Sequence, residues 1–233
     1  MTLRLYLMRH GETAWSVSGQ HSGRADIPLT ENGEEEARRL GDRIRIFSFD
    51  HVLTSPLERA QRTCELAGLS GDVIVEADLI EWDNGDYEGQ TFDEIELARP
   101  GWNLFRDGCP NGEMPEQISA RADRLIQRLT KLDGNVALFA HSHLGRVFAA
   151  RWIGLSVEHA QPFLLNTASL SILCYEHDRR DQPAIELWNS APLELFANPS
   201  SSTARLYERA IQRWENEGGE TFAALQDAGK EIS

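Results

Sequence analysis

Residues 3–13 read LRLYLMRHGET. Residues 3–8 form an apolar run of the kind that makes a buried β-strand, and Arg9 and His10 stand where that strand must end. In α/β proteins ligands bind at the carboxyl edge of the sheet, so the pair brings a guanidinium and an imidazole to the place where an anionic group would dock. The string ends at Thr13.

The rest of the chain alternates in the same style. Further apolar runs at residues 51–53, 73–75, 136–140, 170–175 and 184–188 predict strands. Between them, Thr30 is placed to cap a helix running to about Arg45, with Glu34-Glu35-Glu36 early and Arg38, Arg39, Arg43 and Arg45 late, the order that favours the helix dipole. Ser55-Pro56 reads as a capped helix start with proline in its first position. Residues 116–132 and 144–155 supply two more helices. The alternation predicts an α/β fold, a three-layer sandwich with a largely parallel central sheet. The expected catalytic domain covers residues 1–195, with residues 89–112 as a helical cap excursion, and residues 196–233 form a Pro/Ser linker and helical tail suited to packing or to homo-oligomer formation.

With 233 residues and 41% hydrophobic content, the chain can bury one sizeable core. No apolar run approaches the roughly 20 residues of a membrane span, so the expectation is a soluble, cytoplasmic protein with no membrane partner. Three widely separated cysteines, Cys64, Cys109 and Cys174, suggest packed thiols and no disulfide framework. A formal charge of −14 argues against nucleic acid as a partner. An anionic ligand then needs a local cluster of cations, which a cleft can focus even on an acidic protein.

Four later segments supply that cluster in order: SPLERAQRT (55–63), LIEWDNGDYEG (79–89), PNGE (110–113) and VALFAHSH (136–143). Together with the opening string they resemble the histidine phosphatase, or phosphoglycerate-mutase-like, superfamily across roughly residues 1–188. Within it, residues 13–30, 102–113 and 139–155 are similar to the sedoheptulose-bisphosphatase-like sugar phosphatases. The resemblance implies a metal-independent phosphomonoesterase, without cofactor, that acts on a small phosphorylated metabolite.

The chemistry of these residue types suits that reaction. A neutral imidazole can attack phosphorus and divide hydrolysis into two easier steps, which makes His10 the nucleophile. Arg9, Arg59 and His141 are suited to the charge that spreads over the phosphoryl oxygens. Arg62, one turn from Arg59, is its competitor, but the family pattern matches the arginine that precedes alanine. Glu81 is the expected proton shuttle; Glu88 is its rival and reads better as a loop stabiliser, and Asp83 and Asp86 have weaker claims. By the same resemblance Ser16, Ser22, Gly23 and Ser142 are substrate contacts, and Arg106 is a clamp for a second phosphate or an ordinary cap residue. His141 and His143 form an HxH pair that ligates metal in other folds, but no third ligand has compatible spacing. Two readings stand beside hydrolysis. A phosphoglycerate mutase would carry a longer insertion with paired arginines, absent here; a non-enzymatic phosphoprotein-binding module would need no nucleophile and acid together.

Overall fold

The structure is a computed structural model and describes residues 2–191. The elements run β1 (Arg4–Arg9), α1 (Ala14–Ser18), α2 (Glu31–Ile44), β2 (His51–Thr54), α3 (Glu58–Leu66), β3 (Val73–Val75), α4 (Phe92–Ala98), α5 (Leu104–Asp107), α6 (Pro115–Leu129), β4 (Asn135–Ala140), α7 (Ser142–Trp152), β5 (Leu170–Tyr175) and β6 (Pro183–Ser190). The strands form one sheet in the order β3-β2-β4-β1-β5-β6. Neighbours from β3 to β1 are parallel, and β5 and β6 are added antiparallel.

Strand alternation divides the core between the two faces of this sheet. Leu5, Leu7 and Leu138 face the cluster completed by Ile118 and Leu125 of α6 and Leu144 and Phe148 of α7. Tyr6, Met8 and Phe139 face Leu40 and Ile44 of α2 and Cys64 of α3. The three-layer sandwich expected from the alternating pattern is therefore the observed fold, with a mostly parallel sheet.

Thr30 caps α2 as expected, its hydroxyl accepting the Gly33 N–H at 3.0 Å. The start of α3 differs from expectation. Ser55-Pro56 lies in a turn before the helix, and α3 begins at Glu58 with no side-chain cap from its own N-cap, Leu57. The free N–H groups go instead to the carboxylate of Asp26, which accepts from Glu58 at 2.6 Å and from Arg59 at 3.5 Å. Ser55 Oγ accepts the Leu57 N–H at 3.2 Å and lies 2.7 Å from His141 Nε2, so its hydroxyl belongs to the sheet edge. α7, by contrast, begins earlier than the apolar pattern indicated, at Ser142, directly after its N-cap His141.

The excursion at residues 89–112 carries two short helices, α4 and α5, the first closed by a capping box between Thr91 and Glu94. Among the described residues no helix is long and apolar enough to cross a membrane. The linker and tail expected at residues 196–233, and any oligomer they would form, lie outside the described residues.

Candidate active site

Parallel register builds the centre of the site. Arg9 of β1 is opposite Ala140 of β4, and Thr54 of β2 is opposite Phe139, so the residues that leave these three adjacent strands are His10, His141 and Ser55. The His10 N–H donates to the Ala140 carbonyl at 3.1 Å and the Ser55 N–H to the Phe139 carbonyl at 2.9 Å. The two imidazoles lie 5.2 Å apart, centroid to centroid, both buried.

His10 Nδ1 is 2.7 Å from the carbonyl of Gly11, which can only accept, so Nδ1 carries the proton and Nε2 is left as the nucleophilic lone pair. Burial, followed by the charges of Arg59 and Arg9, holds His10 well below the ordinary histidine range. The ring is therefore neutral at neutral pH, the form that can attack. His141 is lowered in the same way by burial, Arg59, His10 and Arg9.

The backbone around His10 requires glycine. A Cβ on Gly11 would lie 2.2 Å from the Gly33 carbonyl oxygen, and one on Gly33 would lie 2.0 Å from that of Glu12. The loop after β1 thus rests directly on the first turn of α2. Its hydrogen bonds are completed by Thr63, whose hydroxyl accepts from the Gly11 N–H at 3.0 Å, and by Glu36, whose carboxylate accepts from the Glu12 N–H at 2.8 Å.

Arg9 and Arg59 flank His10, but their terminal nitrogens are held by backbone. Arg9 Nη1 donates to Leu165 O at 2.6 Å. Arg59, fully buried, donates to the carbonyls of Ala25 at 2.7 Å and of Ser22 and Gly23 at 3.0 Å each. The fork expected to hold two phosphate oxygens thus organises the 22–25 loop, whose carbonyls are the nearest acceptors. The Nε atoms of both arginines and Nδ1 of His141 are buried with no hydrogen-bond partner in the described structure. Buried polar nitrogens without a protein partner are rare, and a catalytic role is one reason for them. Gly23 is fixed by close approach: a Cβ there would lie 2.4 Å from Trp82 O.

Glu81 is buried against the start of α7. Its Oε1 accepts the N–H groups of Trp82 and Leu144 at 2.8 Å each, and its Oε2 accepts that of His143 at 3.0 Å. A carboxylate has about four lone-pair sites, so roughly one is left to exchange a proton with a substrate. Glu88 does hold a loop: its carboxylate accepts from Arg24 at 3.2 Å and Ala25 at 2.8 Å. Arg62 is a surface residue, paired with Glu34 and Glu65 at 2.9 Å each.

Other expected contacts fall in different places. Ser16 is drawn into the capping box of α1, its hydroxyl donating to Thr13 O at 2.8 Å. Ser22 offers its carbonyl to Arg59, and Ser142 is half-buried at the start of α7 between the two histidines. Among the described residues no hydrogen bond links Arg106 to His10, Arg9, Arg59 or His141. The Arg106 side chain is 59% exposed and pairs with Asp107 at 2.7 Å and Gly101 O at 2.5 Å, because the short turn of α5 leaves these acceptors within reach.

Three contributions were not read from the sequence. Arg121, on the buried face of α6, forms a two-pronged pair with Glu113 at 2.9 and 2.7 Å and donates to the carbonyls of Asp78, Ile80 and Glu81. It fixes the segment that carries Glu81 and explains PNGE as a structural motif. A lone arginine beside Ile118, Ala122 and Leu125 on an apolar stripe was the available signal. Arg146, over the Phe105 ring at 4.6 Å, is pushed down to about 10 by burial and is still charged at neutral pH. Asp26 caps α3 from a distant loop and had no local signature. Among the described residues no three His, Cys, Asp or Glu side chains gather to hold a metal ion.

This geometry agrees with the comparisons to known proteins. Residues 5–191 match the model of the histidine phosphatase superfamily (branch 1), and the chain belongs to that family. It is 33% identical to the sedoheptulose 1,7-bisphosphatase of Saccharomyces cerevisiae, over 80% of this chain and 93% of that one. It is 36% identical to an acid phosphatase of Mycobacterium tuberculosis, over 79% and 92%. Among solved structures, a mycobacterial glucosyl-3-phosphoglycerate phosphatase superposes with a TM-score of 0.69 at 26% identity, covering 81% of this chain and 99% of that one. The protein is a phosphoric monoester hydrolase for phosphorylated metabolites.

Proposed function

We propose that the substrates are sugar phosphates and bisphosphates, hydrolysed through a covalent phosphohistidine on His10. The observation that carries this reading is a neutral buried imidazole enclosed by two guanidinium groups and a second imidazole with unpaired donors. A cytoplasmic location belongs to the same proposal, since charged sugar phosphates are retained there.

In the first step His10 Nε2 attacks phosphorus while the ester bond to the leaving oxygen breaks. Arg9, Arg59 and His141 stabilise the charge on the three equatorial oxygens. Glu81 donates a proton to the departing alkoxide, so the leaving group departs as an alcohol. In the second step water attacks the phosphohistidine, Glu81 takes its proton, and phosphate departs with His10 restored. Arg146 is the better placed cation for a second, non-reacting phosphate: its charge is felt at Glu81 and Arg9 and its hydrogen bonds go to the neutral carbonyls of Ala160 and Gln161, whereas Arg106 is ion-paired with Asp107.

Acid-labile, base-stable phosphate labelling tests the nucleophile. His10→Ala is expected to lose both the label and turnover while keeping its fold; labelling that persists in the variant contradicts the assignment. Phosphate release across a panel of phosphorylated sugars, with a chelator present, tests the substrate class.

A further inference from the structure

Beside the phosphoryl site lies a second cluster that the reaction above does not use. The rings of His21 and His143 are stacked, 5.8 Å between centroids and 11° between planes. They come from separate segments: His21 from the loop after α1, His143 from the first turn of α7. The excursion supplies an aromatic edge to each, Trp102 against His21 at 5.7 Å and Phe105 against His143 at 6.0 Å.

The position of this pair is set by Glu81. His143 Nδ1 lies 3.8 Å from the Glu81 carboxylate, so the oxygen that receives the Glu81 proton departs alongside the His143 ring. His21 Nδ1 donates to Gln90 O at 2.9 Å, which leaves Nε2 of its neutral form as an acceptor. No described residue hydrogen-bonds to the His143 imidazole, whose side chain is 23% exposed. Burial lowers both rings from the ordinary histidine range, so each is uncharged at neutral pH. A neutral imidazole offers hydrogen bonds without charge, which matches a hydroxyl group. A carboxylate at this point would face Glu81 across a short gap and be repelled.

We infer that the His21–His143 stack reads the hydroxyl groups of a polyol leaving group, with Trp102 and Phe105 closing the wall behind it. This rests on the phosphatase reading and narrows it, because it makes specificity for sugar phosphates a property of two uncharged rings.

The test compares kcat/KM for a ketose bisphosphate and for p-nitrophenyl phosphate, whose leaving group has no hydroxyl chain. In the double variant H21F/H143F the stack and its aromatic neighbours are kept and the ring nitrogens are lost. The expected result is a fall of about tenfold or more in the ratio of the two values, the effect of two neutral hydrogen bonds. The single variants H21F and H143F carry the same test if the double variant does not fold, each with a fall of roughly threefold in the ratio. His143→Gln, which retains a donor and an acceptor, is expected to recover part of the loss. An equal loss on both substrates, or none on the bisphosphate, overturns the inference and leaves the phosphatase reading intact. A wild-type protein that cleaves the nitrophenyl ester but no sugar phosphate overturns this inference together with the proposed substrate class. One that cleaves neither overturns the phosphatase reading itself.

Discussion

At the residue scale, the same burial that encloses His10 keeps its ring in the neutral form that the proposed nucleophilic role requires. A solvated histidine is half protonated near pH 6.5; His10 is held well below that by burial and two guanidinium groups, so its neutral form persists into acid. An NMR titration of the His10 ring is expected to show it still neutral at pH 6.5, and a midpoint at the ordinary value would contradict the site geometry. For Glu81, the proton matters most where the leaving group is a poor one. Glu81→Gln is expected to slow a sugar phosphate by 10²–10⁴-fold, the usual contribution of general acid–base catalysis. Nitrophenyl phosphate, whose leaving group needs little protonation, should be slowed far less when transfer to His10 limits the rate; equal losses would mean that another group is the acid. Arg9, His10 and His141 were legible because each ends an apolar run in one continuous string. The placement of Arg106 was not, since an arginine in a loop does not show in sequence which acceptor will claim it.

At the element scale, the site depends on contacts between segments far apart in the chain. α7 presents its first N–H groups to Glu81, and α6 presents Arg121 to the carbonyls of Asp78, Ile80 and Glu81 itself. The Arg121–Glu113 pair is largely buried, so removal of one partner strands a charge. Arg121→Met is expected to cost about 3–5 kcal/mol in urea denaturation. It should also lower kcat in the fraction that folds, because Glu81 is released. A variant with wild-type stability would show that the pair is not a structural support. The start of α3 makes a related point. Ser55-Pro56 has the local composition of a cap, but the cap that forms is Asp26, because the Ser55 hydroxyl has a closer claim at the sheet edge in His141.

At the scale of the whole molecule, the buried His10 and His141 and the half-buried His143 are neutral in the fold and ordinary once unfolded. Between pH 6.5 and their lowered values the unfolded chain binds more protons, so they draw stability away as the pH falls through that window. The denaturation midpoint is expected to drop from about pH 7 to pH 5.5, and His141→Gln should flatten the slope relative to wild type; identical slopes would argue that His141 titrates normally. The sequence by itself determined the layered α/β fold and the residues at the mouths of β1 and β4, because strand periodicity and contiguous motifs are local properties. It also determined that an acidic chain of net charge −14 must concentrate its cations to meet an anion. Only the tertiary structure decided which cations remain available. Hydrogen bonds go to the nearest acceptor in space, and here loop carbonyls claim the fork of Arg59, Asp107 claims Arg106, and backbone pairing of His21 with Gly89 and Gln90 sets its ring against that of His143 beside Glu81.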